Sequence, residues 1–190
     1  MKEKRILGLA VCGSFCCYDK VFEAAEALRE QYELVPIMSE TSAETDTRFG
    51  TAAGNIKRLR ELCGREVITT VEAAEPLGPK TPLDALLIAP CTGNTLAKLA
   101  HGINDSAVTM AAKAHLRNGR PLVIAFSTND GLSNSAENIG KLLNRKNVYF
   151  VPFTQDDPAK KPRSLQADFS LIGQTVELAM AGRQIQPIIK

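Results

Sequence analysis

The sequence predicts an α/β protein, a doubly wound parallel sheet formed by one domain over residues 1–190, and three observations predict it. Short runs that are apolar on both faces, as strands buried in a parallel sheet are, alternate with segments whose apolar residues recur at helical spacing. Several of these runs open directly into small polar residues, as the strand-to-helix turns of such sheets do. The length, 190 residues with 44% hydrophobic and 23% charged, suits one domain with a substantial core. That core is expected over about residues 4–182, with a tail at 183–190.

Residues 5–12 form the first apolar run, and Gly13-Ser14-Phe15-Cys16-Cys17 follows as a turn. Val21, Phe22, Ala25, Leu28 and Tyr32 then share a helical face. Residues 33–38 predict a second strand, and Pro36, with no N–H for a ladder, marks it as an edge or a bulge. Residues 40–50 read as a polar loop, and Ile56, Leu59 and Leu62 as a helix stopped near Gly64. A short strand is expected at 67–69, and three prolines with a glycine make 75–84 a rigid surface turn. Residues 85–89 are the fourth apolar run, which Pro90 is expected to end. A small polar loop at 91–95 leads into helical spacing from Thr95, carried by Leu96, Leu99 and Ala100 and stopped by Gly102. Asp105 is expected to cap the next helix, which bears Val108, Ala111, Ala112 and His115 on one face. A fifth strand at 120–126 opens into Ser127-Thr128-Asn129-Asp130-Gly131. Ile139, Leu142 and Leu143 mark a short helix, 147–150 a sixth strand, and 151–163 a proline- and charge-rich loop. Phe169, Ile172, Val176 and Met180 predict a closing helix stopped by Gly182, and the apolar tail 185–190 is expected to pack on a neighbouring subunit.

Composition excludes several classes. A net charge of +2 with no dense basic block argues against a nucleic-acid partner, and the clusters at 2–5 and 160–163 read as solvated surface. No apolar run approaches about 20 residues and the N-terminus lacks a signal-peptide core, so a cytosolic protein without a membrane span is expected. The five cysteines are odd in number and form no CxxC, and with only His101 and His115 beside them no metal site is expected. They read as reduced structural thiols, with Cys91 the exception because it lies in a candidate ligand loop.

Ligands of doubly wound sheets bind outside the carboxyl ends of the strands. That rule gathers Gly13, Ser14 and Phe15, then Ser39, then Thr92, Gly93, Asn94 and Thr95, then Ser127, Thr128 and Asn129, at one rim. Hydroxyls and free N–H groups at the positive end of a helix suit an anion or a phosphorylated cofactor. The first turn is not GxGxxG and the chain has no lysine-bearing P-loop. For Ser39 and for the 92–95 turn the plain alternative is helix capping. Arg48 is the one cation near these hydroxyls and suits a carboxylate, whereas the Asn94 amide both donates and accepts; these two are the candidates for catalytic contact. His101 reads as a packed or capping residue.

The apolar run ending Ala89-Pro90, the small polar loop, and Ala97-Lys98-Leu99-Ala100-His101-Gly102 with Asp105 together resemble the signature of the homo-oligomeric flavin-containing cysteine decarboxylase superfamily. The resemblance implies a Rossmann-like or flavodoxin-like three-layer α/β/α fold and FMN as cofactor. It also implies FMN contacts from the Gly13-Ser14 turn, Ser39 and the 92–95 loop, and a homo-oligomer, trimer or higher. Two departures stand out. The Ala-Pro-Ala-Met-Asn segment of the phosphopantothenoylcysteine decarboxylases is replaced by Ala125-Phe126-Ser127-Thr128-Asn129, and no histidine lies between Ser39 and Cys63, where those enzymes carry their catalytic one.

Over nearly the whole chain a narrower resemblance holds. Thr45-Asp46-Thr47-Arg48-Phe49-Gly50, Ala74-Glu75-Pro76-Leu77-Gly78-Pro79-Lys80, residues 110–119, Phe126-Ser127-Thr128-Asn129-Asp130 and Tyr149-Phe150-Val151-Pro152-Phe153 are similar to the family of dipicolinate synthase B subunits of endospore-forming bacteria. That resemblance implies oxidation of a dihydrodipicolinate to pyridine-2,6-dicarboxylate in the cytoplasm of the mother cell. It implies as partner an A subunit that resembles a pyridine-nucleotide dehydrogenase, so that NADP is expected on that partner. Three readings follow: a flavin-binding oxidoreductase subunit, a non-catalytic scaffold or activating subunit that has lost flavin, and an independent FMN-dependent decarboxylase or prenyltransferase.

Overall fold

The computed structural model describes residues 4–78 and 81–190. Residues 2 and 3 of the first basic cluster, and 79 and 80 of the 75–84 turn, lie outside the described residues. Strands β1 (Arg5–Val11), β2 (Tyr32–Met38), β3 (Ala85–Cys91), β4 (Leu122–Thr128) and β5 (Val148–Phe150) pair in parallel in the order β2-β1-β3-β4-β5. This is the doubly wound order whose switch point falls between β1 and β3. Helices α1 (Tyr18–Gln31), α3 (Ala52–Cys63) and α8 (Ile172–Met180) cover one face. Helices α4 (Val71–Ala74), α5 (Gly93–His101), α6 (Ala107–Leu116) and α7 (Asn134–Leu143) cover the other.

The alternating runs predicted this because β3, covered on both faces, buries every one of its residues. Each large aliphatic there contributes roughly 1.5–3 kcal/mol of burial, so the centre of the sheet is a stiff base for the turns at its carboxyl edge. The edge position inferred from Pro36 is also found: β2 is the outer strand, bridged beyond among the described residues by Ile68, whose N–H donates to the Pro36 carbonyl at 3.0 Å.

Several elements differ from expectation, each for a physical reason. Tyr32 begins β2 instead of ending α1, and its ring is buried against the α1 and α8 side. Residues 40–50 are not all loop: Ser39 caps a one-turn helix, α2 (Glu40–Glu44), and Glu40 favours its first turn. Residues 67–69 form a single bridge at Ile68, too short for a strand. Part of the 75–84 turn is helical, with α4 running into a 3-10 turn at Glu75–Leu77. Pro90 does not end β3, which continues to Cys91 through a register shift against β4, where a missing N–H breaks no regular ladder bond. Helix α5 starts at Gly93, two residues early, because Thr92 is its cap. The α6 cap is Ser106 in a capping box with Thr109, while Asp105 pairs with Lys98 Nζ at 2.7 Å.

The 151–163 loop also contains a strand, β6 (Phe153–Thr154), which pairs antiparallel with β7 (Leu165–Ala167). β7 in turn pairs antiparallel with Ser127 and Thr128 of β4, above the stretch of β4 that β5 occupies. The sheet is therefore parallel with an antiparallel corner. The tail, expected to pack on a neighbouring subunit, also bonds its own chain. Ile188 and Lys190 bond the Phe153 backbone at 3.0 and 3.1 Å, and Lys190 Nζ reaches Asp168 at 2.7 Å.

Candidate functional site

The carboxyl ends of β1, β3 and β4 enclose a cleft of about 340 Å³ lined by Gly13, Ser14, Phe15, Cys16, Phe49, Thr92, Gly93, Ser127, Thr128 and Asn129. That volume lies at the lower end of the 300–1,000 Å³ typical of small-molecule sites. A larger groove, about 740 Å³, lies between α1 and the β6–β7 corner, walled by Ala24, Ala27, Leu28, Ala167 and Phe169 with exposed polar residues at its rim. The smaller cleft is the functional candidate, because only there do the hydroxyl-bearing turns of separate strands converge.

The turns are cross-braced. Ser14 Oγ donates to the Ser127 carbonyl at 2.9 Å, tying the β1 turn to the end of β4. Gln166 Nε2 of β7 donates to Ser127 Oγ and Cys17 Sγ, both at 3.2 Å. Thr92 Oγ1 accepts from the Thr95 N–H at 3.2 Å and caps α5, but among the described residues neither the Gly93 nor the Asn94 N–H has an acceptor. Those two donors sit at the positive end of the helix, beside the cleft.

Gly93 is there because nothing larger fits. A Cβ on it would stand 2.7 Å from Thr128 Oγ1, 2.8 Å from Ser135 Oγ and 3.1 Å from Asp130 Oδ1. Those atoms form one cluster: Asp130 Oδ1 accepts from Thr128 Oγ1 and, at 2.7 Å, from Ser135 Oγ. Partial burial pushes the Asp130 carboxyl up, yet the hydrogen bonds from Thr128 and Ser135 outweigh it and hold the group below its ordinary value. With its only proton committed to Asp130, the Thr128 hydroxyl presents lone pairs to the cleft, and Ser14, committed to Ser127, does likewise. The cleft thus has hydroxyl acceptors on the β1 and β4 walls and backbone donors on the α5 wall.

Of the residues expected from sequence, the structure brings Gly13, Ser14, Phe15, Thr92, Gly93, Ser127, Thr128 and Asn129 together. Asn94 stands next to them, exposed on the first turn of α5. Thr95 turns inward, 6% exposed, with its hydroxyl on Cys12 Sγ at 3.4 Å. Ser39 caps α2, accepting from the Ser42 N–H at 3.3 Å, and lies outside the cleft lining, although Thr41 of the same helix comes within 3.6 Å of where a Gly13 Cβ would be. Arg48 is not in the wall itself; its guanidinium stacks 4.8 Å from the ring centroid of Phe49, which is. Cys91, singled out for its loop position, is fully buried, and burial foremost, with the Cys12 charge behind it, pushes its thiol well above the ordinary value. Burial likewise pushes Cys12 up to about 11. His101 is exposed at the end of α5, and Lys98 and Asp105 serve the α5–α6 connection.

Sequence reasoning missed Cys16, Phe49, Asp130 and Gln166. Asp130 was within a recognised small polar loop, and its neighbour Thr128 was the available signal. Gln166 had none, because β7 lies in a stretch too short to show strand periodicity. Among the described residues no group of three or more His, Cys, Asp or Glu could hold a metal ion, and no helix is long and apolar enough to cross a membrane.

FMN, the cofactor that the family resemblance implies, joins a phosphate to a planar ring. A phosphorylated planar cofactor needs unpaired backbone donors for its anion, acceptors for its ring and a glycine that lets it come close, and Gly93 and Asn94, Ser14 and Thr128, and Gly13 supply them at one cleft. The residues fit the group.

Known proteins share this fold. The Flavoprotein family model matches residues 1–169. The B subunit of dipicolinate synthase from Bacillus subtilis (strain 168) is 47% identical over 190 residues, covering 100% of this chain and 94% of that protein. The crystal structure of the dipicolinate synthase B subunit from Bacillus halodurans C superposes with a TM-score of 0.90 at 41% identity, over 98% of this chain and 96% of that one. A dodecameric FMN-dependent UbiX-like decarboxylase from Escherichia coli O157:H7 gives a TM-score of 0.63 at 26% identity, over 77% and 79% of the two chains. With its sheet order, its cleft at the switch point and a match across most of its length, the chain belongs to the Flavoprotein family.

Proposed function

We propose that the chain is the flavin-binding B subunit of a two-component oxidoreductase that converts a dihydrodipicolinate to pyridine-2,6-dicarboxylate in the mother cell of a sporulating bacterium. It works with a dehydrogenase-like A subunit that carries NADP, and it assembles as a homo-oligomer, trimer or higher. The observation that carries the reading is the junction at the cleft of open α5 donors with the hydroxyls of the β1 and β4 turns. The 47% identity to a dipicolinate synthase B subunit supports the substrate.

When bound, the flavin supplies a two-electron acceptor, so that the dihydropyridine ring loses a hydride and a proton as it becomes aromatic. The chain's own residues bind and orient. The Gly93 and Asn94 N–H groups, held in place by the Thr92 cap, take the anionic end of the cofactor, while Ser14 and Thr128 offer acceptors to ring N–H groups. Asn94, exposed and free of side-chain bonds among the described residues, faces the substrate, and Arg48 is the cation for a dianionic ligand.

Reconstitution with the A subunit tests this. Purified protein is expected to show flavin absorption, and dihydrodipicolinate turnover is expected only when both proteins are mixed. Asn94→Ala should lower that turnover at least about tenfold while the melting temperature stays within about 2 °C, as for an exposed surface substitution. Full turnover with a flavin-free B subunit would make it a non-catalytic partner, and decarboxylation by the B subunit alone would make it an independent enzyme.

A further inference from the structure

The turn at residues 47–50 is built more firmly than an exposed loop needs to be. Thr47 and Gly50 exchange backbone hydrogen bonds at 3.0 and 3.1 Å, and the Phe49 N–H donates to Thr47 Oγ1 at 3.1 Å. Asp46 Oδ1 accepts the Ala52 N–H at 2.8 Å, which anchors the turn to the start of α3. Gly50, at φ 138°, adopts a conformation that side chains rarely take, and the Asn55 side chain, 7% exposed, packs under it. What this rigid turn displays is unusual for a surface. Phe49 is 49% exposed yet forms part of the cleft wall, and Arg48 lies over its ring with no carboxylate partner among the described residues.

We propose that Arg48 and Phe49 form a preset clamp that selects a flat ring bearing a carboxylate. The inference rests on the functional reading above and names the residues that choose its substrate. A guanidinium over one face of a ring leaves the other face open to the cleft, where a planar ligand can stack. The stacked guanidinium keeps its in-plane N–H donors unspent. An exposed cation–π contact is weaker than a bidentate pair with a carboxylate, so Arg48 exchanges one for the other when an anionic ring arrives. Phe49 thus contributes affinity for the ring whatever its charge, and Arg48 contributes the preference for an acid.

Calorimetry on the full chain, flavin-free and loaded with FMN, tests this with pyridine-2,6-dicarboxylate and its neutral isostere pyridine-2,6-dicarboxamide. The wild type should prefer the diacid, and Arg48→Gln should cut that preference about tenfold, the worth of one charge-assisted pair. Arg48→Lys should restore only part of it, because an ammonium lacks the fork. Phe49→Leu should weaken the neutral diamide, which depends on the ring alone, about threefold. A turn that merely supports the fold would weaken both ligands equally in every variant. An unchanged ratio in Arg48→Gln, or wild-type binding of the diamide by Phe49→Leu, overturns the clamp, as does a wild type that binds neither. A protein that takes up no FMN yet shows the Arg48-dependent preference would remove the flavin reading and leave the clamp standing.

Discussion

Helices α5 and α6 follow one another on the same face of the sheet, and their N-termini are finished in opposite ways. At α6 the chain's own side chains meet three of the first donors: Ser106 Oγ takes the Thr109 N–H, Thr109 Oγ1 takes the Ser106 N–H, and Glu40 takes the Ala107 N–H at 3.0 Å. At α5, of the first three helical N–H groups, Thr95 alone has an acceptor among the described residues, and Gly93 and Asn94 keep theirs. Each end has a good cap residue, so capping ability does not explain the difference. The α6 end is buried, and each donor that a side chain meets there avoids a cost of about 1–3 kcal/mol. The α5 end opens on the cleft, where water or a ligand meets its donors. A helix start left open beside a cleft and one sealed in the core are thus distinguished by what surrounds them.

The strongest way to break this comparison is Gly93→Ala. The added methyl would enter the Thr128–Asp130–Ser135 cluster, and overpacking of this kind costs about 1–3 kcal/mol. Its melting temperature should fall by about 2–12 °C by calorimetry, for a chain of this size, and FMN binding should be lost with it. A variant with wild-type stability and flavin uptake would contradict the packing described for α5.

A matched pair of cap deletions sharpens the contrast. Thr92→Ala and Ser106→Ala should each cost about 1 kcal/mol of unfolding free energy in denaturant titrations. Only Thr92→Ala should also weaken flavin binding. If Ser106→Ala weakens it equally, the open and sealed ends are not functionally distinct.

The smallest expected effect is at Asp130. Because its folded carboxyl lies below the ordinary value, the stability it confers is present above about pH 4, the unfolded range, and is lost as pH falls through the lower folded value. Asp130→Asn should therefore be less stable than wild type by up to about 1 kcal/mol at pH 7, with the gap closing below about pH 4. A gap that stays constant down to pH 3 would show that the carboxylate charge is not what holds Thr128 and Ser135.

How much of this was legible in the sequence follows from the range of the forces involved. The parallel strands were, because burial on both faces writes an unbroken apolar run, as in Leu86-Leu87-Ile88. The convergence of the Gly13, Thr92 and Ser127 turns was, because topology alone brings strand ends to one edge. The antiparallel corner was not: two residues of β6 and three of β7 are too few to show a period of two, and their pairing is decided by contact with β4. Nor was the inward turn of Thr95, since a helix start places neighbouring side chains on opposite sides and the sequence does not mark which side faces the cleft. Phe49 was recognised as part of a motif, but its place in the wall depends on the 47–50 turn, which only the folded chain fixes.

Titration of flavin-free protein with FMN, followed by quenching of flavin fluorescence, tests the central claim most directly. The cleft is expected to take one FMN per chain with a dissociation constant at or below about 10 μM, or roughly −7 kcal/mol, and Thr92→Ala is expected to weaken it while Ser106→Ala does not. No saturable uptake, or uptake indifferent to Thr92, would contradict the assignment of the β1–β3–β4 cleft as a flavin site.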